Sequence, residues 1–101
     1  MPADQAFNLP DSLTMAEVPD IHRSSQNAFR SGQFPDRIDL AGLRRTDSSG
    51  LALLLEWQAQ ARAHGRQIEF TNPPQSLLVL ARLSQAGQLL GWDAQTADYE
   101  P

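Results

Sequence analysis

The chain predicts an α/β layer domain, a mixed β-sheet with helices packed on one face, and three patterns in its 101 residues point to it. Ile38, Leu40 and Leu43 lead through the polar turn Asp47-Ser48-Ser49-Gly50 into the apolar run Leu51 to Leu55, the pattern of a strand, a turn and a helix start. Ile68 and Phe70 alternate with polar neighbours between Gln67 and Thr71, the two-residue period of a strand with one covered face. Ile21, Ser25, Ala28 and Phe29, and later Leu77, Leu80, Ala81 and Leu83, recur at helical spacing.

In chain order, residues 1–12 form an N-terminal segment in which Phe7 and Leu9 read either as a short edge strand or as a loose terminus. Asp11-Ser12 reads as a turn and Leu13-Thr14-Met15 as the second arm of a hairpin. Glu17-Val18-Pro19-Asp20 opens a helix that runs to Gly32, with Pro19 tolerated in a first turn whose N–H groups have no partner. A strand around Arg37 to Leu40 follows. Asp47, Ser48 and Ser49 are all residue types that accept hydrogen bonds from the free N–H groups of a helix, so one of them is the expected N-cap. The helix from about Ser49 to His64 begins apolar on all sides and becomes one-sided after Glu56, which implies a cover beyond the sheet. Neighbouring helices of the same chain supply that cover in the plain reading; in the sharper one Leu53 and Trp57, one turn apart, form a ridge for a partner. Gly65 ends the helix. Asn72 is expected to cap the next helix with Pro73 at its first position, and this helix runs to Gly87. Leu89-Leu90-Gly91-Trp92 is read as a last short strand or as the packing end of a domain spanning 13–92, and 93–101 as an acidic, mobile tail.

Composition narrows the function. A net charge of −4 with no basic cluster beyond Arg44-Arg45 argues against a nucleic-acid binder, which needs a basic stripe to displace counterions. The absence of cysteine removes disulfides, thiolate metal sites and thiol nucleophiles. No run of about 18 apolar residues and no positive-then-apolar leader is present, so neither a membrane span nor secretion is expected. His22 and His64 fall on different helices without ligand spacing, and no phosphate-cradling glycine motif occurs. No catalytic residue, metal site or cofactor is therefore expected. Arg44 and Arg45 read as solvated, with a rim role against an acidic partner as the alternative.

The order of strand, Asp47-Ser48-Ser49-Gly50-Leu51, apolar helix ending at Gly65, strand and Asn72-Pro73-Pro74 resembles the STAS domains over about Leu13 to Trp92. That family includes anti-sigma-factor antagonists, tails of sulfate transporters and the small cytoplasmic subunit of the Mla phospholipid ABC transporter. The run Gly50-Leu51-Ala52-Leu53-Leu54-Leu55 with its Ala-rich continuation is more similar to the Mla branch, whereas Thr46 stands where the family usually has an apolar residue. The resemblance implies a STAS-like fold and a non-catalytic, cytoplasmic subunit associated peripherally with the inner membrane. Its partner would be an ABC ATPase, with the permease and lipid-binding subunits of the same transporter, and Asp47, Ser48, Ser49, Leu53 and Trp57 would form the partner-binding surface. The alternative it implies is an anti-sigma-factor antagonist in which a kinase phosphorylates Ser48 or Ser49.

Overall fold

The computed structural model describes residues 9–92. They form β1 (Ser12–Leu13), α1 (Val18–Arg30), β2 (Arg37–Asp39), β3 (Arg45–Thr46), α2 (Ser48–Ala63), β4 (Glu69–Thr71), α3 (Gln75–Leu83) and α4 (Gly87–Leu90). The architecture is α/β and STAS-like. The edge strand considered around Phe7 and the acidic tail at 93–101 lie outside the described residues.

Both strand pairs among the described residues are parallel: β1 lies against β3 with Leu13 opposite Thr46, and β2 against β4 with Ile38 opposite Phe70. Parallel neighbours need a crossover, and a helix separates the members of each pair in sequence, α1 in one case and α2 in the other. Ser12 thus belongs to a strand rather than to a turn, and Leu13 finds its partner far along the chain. The segment from Ile38 to Thr46 also differs from expectation, because it holds two strands. The Asp39 carboxylate accepts the Ala41 N–H at 3.0 Å and Leu43 N–H donates to the Leu40 carbonyl at 3.0 Å, which turns the chain out of β2. The amides of Arg44 and Arg45 then donate to the Asp11 carbonyl at 2.7 and 3.1 Å, setting β3 beside β1.

Asn72 does not cap α3. It sits in the left-handed region at φ 53°, where a short polar side chain is tolerated, and its amide donates to Asp39 Oδ1 at 3.0 Å. Pro74, with extended backbone, precedes the first helical residue, Gln75. The Asn72 amide, with help from the Ala41 N–H and the Thr71 hydroxyl, holds the Asp39 carboxyl below the usual carboxylate range. The third helix stops at Leu83, since Gln85 also turns left-handed at φ 56°. Gly87 opens α4 instead of ending α3, and the last segment is a short helix rather than a strand.

Helix α2 occupies the centre of the helical layer, with α1 on one side and α3 and α4 on the other. This position explains its all-round apolar first half. Leu51, Leu54, Trp57 and Ala61 of α2 share one core with Leu13, Ile38 and Phe70 of the strands and with Phe29, Leu77 and Ala81 of the flanking helices.

The free edge of β4 is closed by side chains. Gln58, fully buried on α2, accepts the Ile68 N–H at 2.9 Å and donates to the Ile68 carbonyl at 2.8 Å, copying the pair of bonds a neighbouring strand would make. The same amide reaches the Leu89 carbonyl at 3.3 Å, and the Trp92 indole donates to the Phe70 carbonyl at 3.0 Å. Replacing Gln58 with Leu keeps the volume but strands two buried backbone groups of Ile68. The expected cost is about 2–4 kcal/mol, read as a shift of the urea midpoint with unchanged slope.

Candidate functional site, the N-terminus of α2

The turn into α2 is built around the carboxylate of Asp47. With its backbone extended at φ −139°, Asp47 is the N-cap, and its Oδ1 accepts the N–H groups of Ser49 at 2.9 Å and Gly50 at 3.3 Å. Its Oδ2 accepts the Met15 N–H at 3.2 Å, which ties the loop between β1 and α1 to the same helix end. One side chain therefore fixes two segments that are distant in sequence.

Gly50 is required by packing. A Cβ there would overlap the Leu13 carbonyl oxygen and lie 2.6 Å from Thr46 Oγ1, so only a residue without a side chain lets β1 and β3 approach the first turn of α2. Half-buried Thr46 is itself part of this contact, which gives its polar side chain a place at the strand end. The loop beyond Leu13 closes by a Thr-x-x-Glu box: Glu17 Oε1 accepts the backbone N–H of Thr14 at 2.8 Å and its hydroxyl at 2.7 Å. The Thr14 N–H, followed by its hydroxyl, holds the Glu17 carboxyl below its usual range. Because the folded value is the lower one, this contribution is complete at neutral pH and is lost as pH falls through the carboxylate range.

With Asp47 and Gly50 committed to the fold, the motif leaves two hydroxyls for outside contact. Ser48 is exposed and Ser49 is half-buried at the edge of a shallow groove of about 530 Å³ between α1 and α2, lined by Val18, Pro19, His22, Ser49, Ala52, Leu53 and Glu56. Met15, 71 % exposed, projects from the loop that Asp47 holds.

Leu53 and Trp57 do not form an exposed ridge. Trp57 is fully buried, lies edge-on to Phe29 at 5.6 Å between ring centroids, and donates its indole N–H to Ser25 Oγ at 3.2 Å. Ser25 in turn donates to the His22 carbonyl at 2.9 Å, so the polar atoms that bind α1 to α2 are partnered. Leu53 is 3 % exposed and forms the floor of the groove. The covering of α2 by its neighbours accounts for both residues. Arg44 and Arg45 are exposed and make no ion pair among the described residues. His22 and His64 are used locally: the His22 ring meets the Gln26 amide at 2.6 Å, and His64 Nδ1 lies 3.0 Å from the Gln60 carbonyl, with its ring 5.3 Å from that of Phe34.

These elements define an α/β domain that presents a capped helix N-terminus with two serines in its first turn and a shallow groove beside it. The chain belongs to the STAS domain family in its MlaB-like form: the family model described as "Mlab, STAS domain" matches residues 2–91. No curated protein and no solved structure matches it. STAS domains are generally non-catalytic. Among the described residues no helix is long and apolar enough to cross a membrane.

The division of labour within the turn has a measurable consequence. Asp47→Ala removes the cap and the Met15 tie and is expected to cost about 1–2 kcal/mol in denaturant unfolding. Ser48→Ala, which removes an exposed hydroxyl, is expected to stay within about 0.5 kcal/mol of the unmodified protein.

Proposed function

We propose that this protein is the cytoplasmic STAS subunit of an ABC transporter that moves phospholipids between the inner and outer membranes of a Gram-negative cell and maintains outer-membrane lipid asymmetry. It docks on the ATPase subunit through the surface of Asp47, Ser48 and Ser49, stabilising or regulating that subunit, and sits peripherally at the inner membrane through the complex. The ATP chemistry belongs to the partner, and this chain contributes no catalytic group, metal or cofactor. The observation that carries the reading is the match to MlaB-like STAS domains together with the exposure of Ser48 on a helix end that Asp47 caps.

The exposure of Ser48 also fits a second reading, an anti-sigma-factor antagonist switched by phosphorylation. A phosphate on Ser48 would stand next to the Asp47 carboxylate, and the added like charge would repel an acidic partner surface. Intact mass of the protein from its native cells separates the two readings, since a phosphorylated fraction belongs to the second.

The docking reading is tested by purifying the tagged chain from native membranes in mild detergent. An ABC ATPase and its permease are expected in the eluate, and Ser48→Asp is expected to weaken ATPase binding about tenfold without lowering the melting temperature. Normal binding by Ser48→Asp would remove this surface from the account.

A further inference from the structure

The outer edge of β4 borders a groove of about 700 Å³ whose walls are the strand itself and the turn Leu90-Gly91-Trp92. The parallel register decides which backbone groups face it. Glu69 N–H donates to the Asp36 carbonyl and the Thr71 carbonyl accepts Leu40 N–H, so residues 69 and 71 bond towards β2, and Ile68 and Phe70 turn their backbone groups outward. Gln58 bonds both groups of Ile68, and the Trp92 indole donates to the Phe70 carbonyl. The Phe70 N–H is left without an acceptor among the described residues, on a residue that is 3 % exposed. An occupant of the groove gains by bringing one carbonyl there. Because the neighbouring positions on the edge are taken, that contact is a single bond rather than a ladder.

Charge is arranged along the groove. At one end Asp39, exposed, is bound to the groove residue Asn72. The other end is rich in arginine: Arg37 pairs with Glu69 at 3.3 Å and Arg66 with Asp36 at 3.2 Å, and both carboxylates belong to the groove wall. Arg62 adds an exposed charge with no ion pair among the described residues. It follows Gln58 by one helical turn, on the side of α2 that reaches Ile68 and Leu89. These three arginines against two carboxylates leave this end positive.

The chain itself carries a segment that matches. Trp92, the last described residue, stands in the groove wall, and Gly91 at φ 78° turns the chain out of α4 just before it. The nine residues 93–101 that follow hold three carboxylates, Asp93, Asp98 and Glu100, and no basic residue. Six extended residues reach about 20 Å, enough to bring Asp98 from Trp92 past Gln67 to the arginines. A segment joined directly to the groove competes for it at an effective concentration on the order of millimolar. From this we infer that residues 93–101 lie back along the outer edge of β4, with one of their carbonyls on the Phe70 N–H and Asp98 and Glu100 against Arg62 and Arg66. The clasp covers the β4 edge with the chain's own acidic segment and does not depend on the docking reading above.

The test places a nitroxide on Ala63→Cys of the full chain, which has no cysteine of its own, and reads the amide signals of residues 93–101. Ala63 is exposed at the end of α2 and outside the groove wall. At low salt the amides around Asp98 are expected to lose most of their intensity relative to the reduced nitroxide, and to recover it in about 1 M salt, where screening reaches about 3 Å. Asp98→Arg together with Glu100→Arg is expected to abolish the broadening and to speed exchange of the Phe70 amide about tenfold, with an unchanged melting curve. Sharp signals throughout 93–101 at low salt, the behaviour of a mobile tail, would overturn the inference, as would a Phe70 amide whose exchange ignores the charges at 98 and 100. Broadening carried over to a chain without nitroxide when it is mixed with one that bears it would assign the groove to the tail of a second copy and overturn the clasp.

Discussion

The Asp47 carboxylate is the contact on which the arrangement of this domain turns. Its two oxygens receive three backbone N–H groups, two from the first turn of α2 and one from Met15 after β1. Helix capping alone would need one oxygen. The second joins the strand layer to the helical layer at the point where Gly50 lets the Leu13 carbonyl come within contact distance of α2. Acid cap and glycine are thus two halves of one constraint, and moving either would displace β1, β3 and the start of α2 together. The side chains of the serines between them take no part in this constraint, and Ser48 is exposed while Ser49 is half-buried.

A second consequence follows from the central place of α2. A helix with neighbours on both sides and a sheet beneath must be apolar nearly all round, and the few polar groups it buries must find partners. Gln58 and Trp57 show how this is met. Gln58 stands in for a strand at the edge of β4, and Trp57 joins α1 through Ser25. The face of α2 that its neighbours leave uncovered starts at its N-terminus and carries exposed Ser48, Ala52 and Glu56.

Much of this was legible in the residues. The acid-and-serine turn announced the start of α2, and Gly65, at φ 72°, marked its end, because caps and left-handed turns depend on local geometry. The Ile68 and Phe70 alternation gave β4 for the same reason. What escaped was non-local. Arg45 and Thr46 carry no strand signal and are held as β3 by pairing with β1 and by the Asp11 carbonyl. Asn72 has the composition of a cap but is drawn to Asp39 on a different strand. The Gln58 clamp has no sequence signature, since a glutamine in a helix is ordinarily solvated. At the turn, the motif offered Asp47, Ser48 and Ser49 as caps and the structure gives that role to Asp47, whereas the burial of Leu53 and Trp57 depended on which side of α2 received α1. The groove could be seen only once both helices were placed.

The claim that Asp47 locks two distant segments into one rigid helix end is tested most directly by amide hydrogen exchange resolved at single residues. In the unmodified protein the amides of Met15, Ser49 and Gly50 should all be protected, and in Asp47→Ala all three should lose protection together while the amides in the middle of α2 keep theirs. A Met15 amide that exchanges as fast as an unstructured chain in the unmodified protein, or that keeps its protection without the Asp47 carboxylate, would contradict the account.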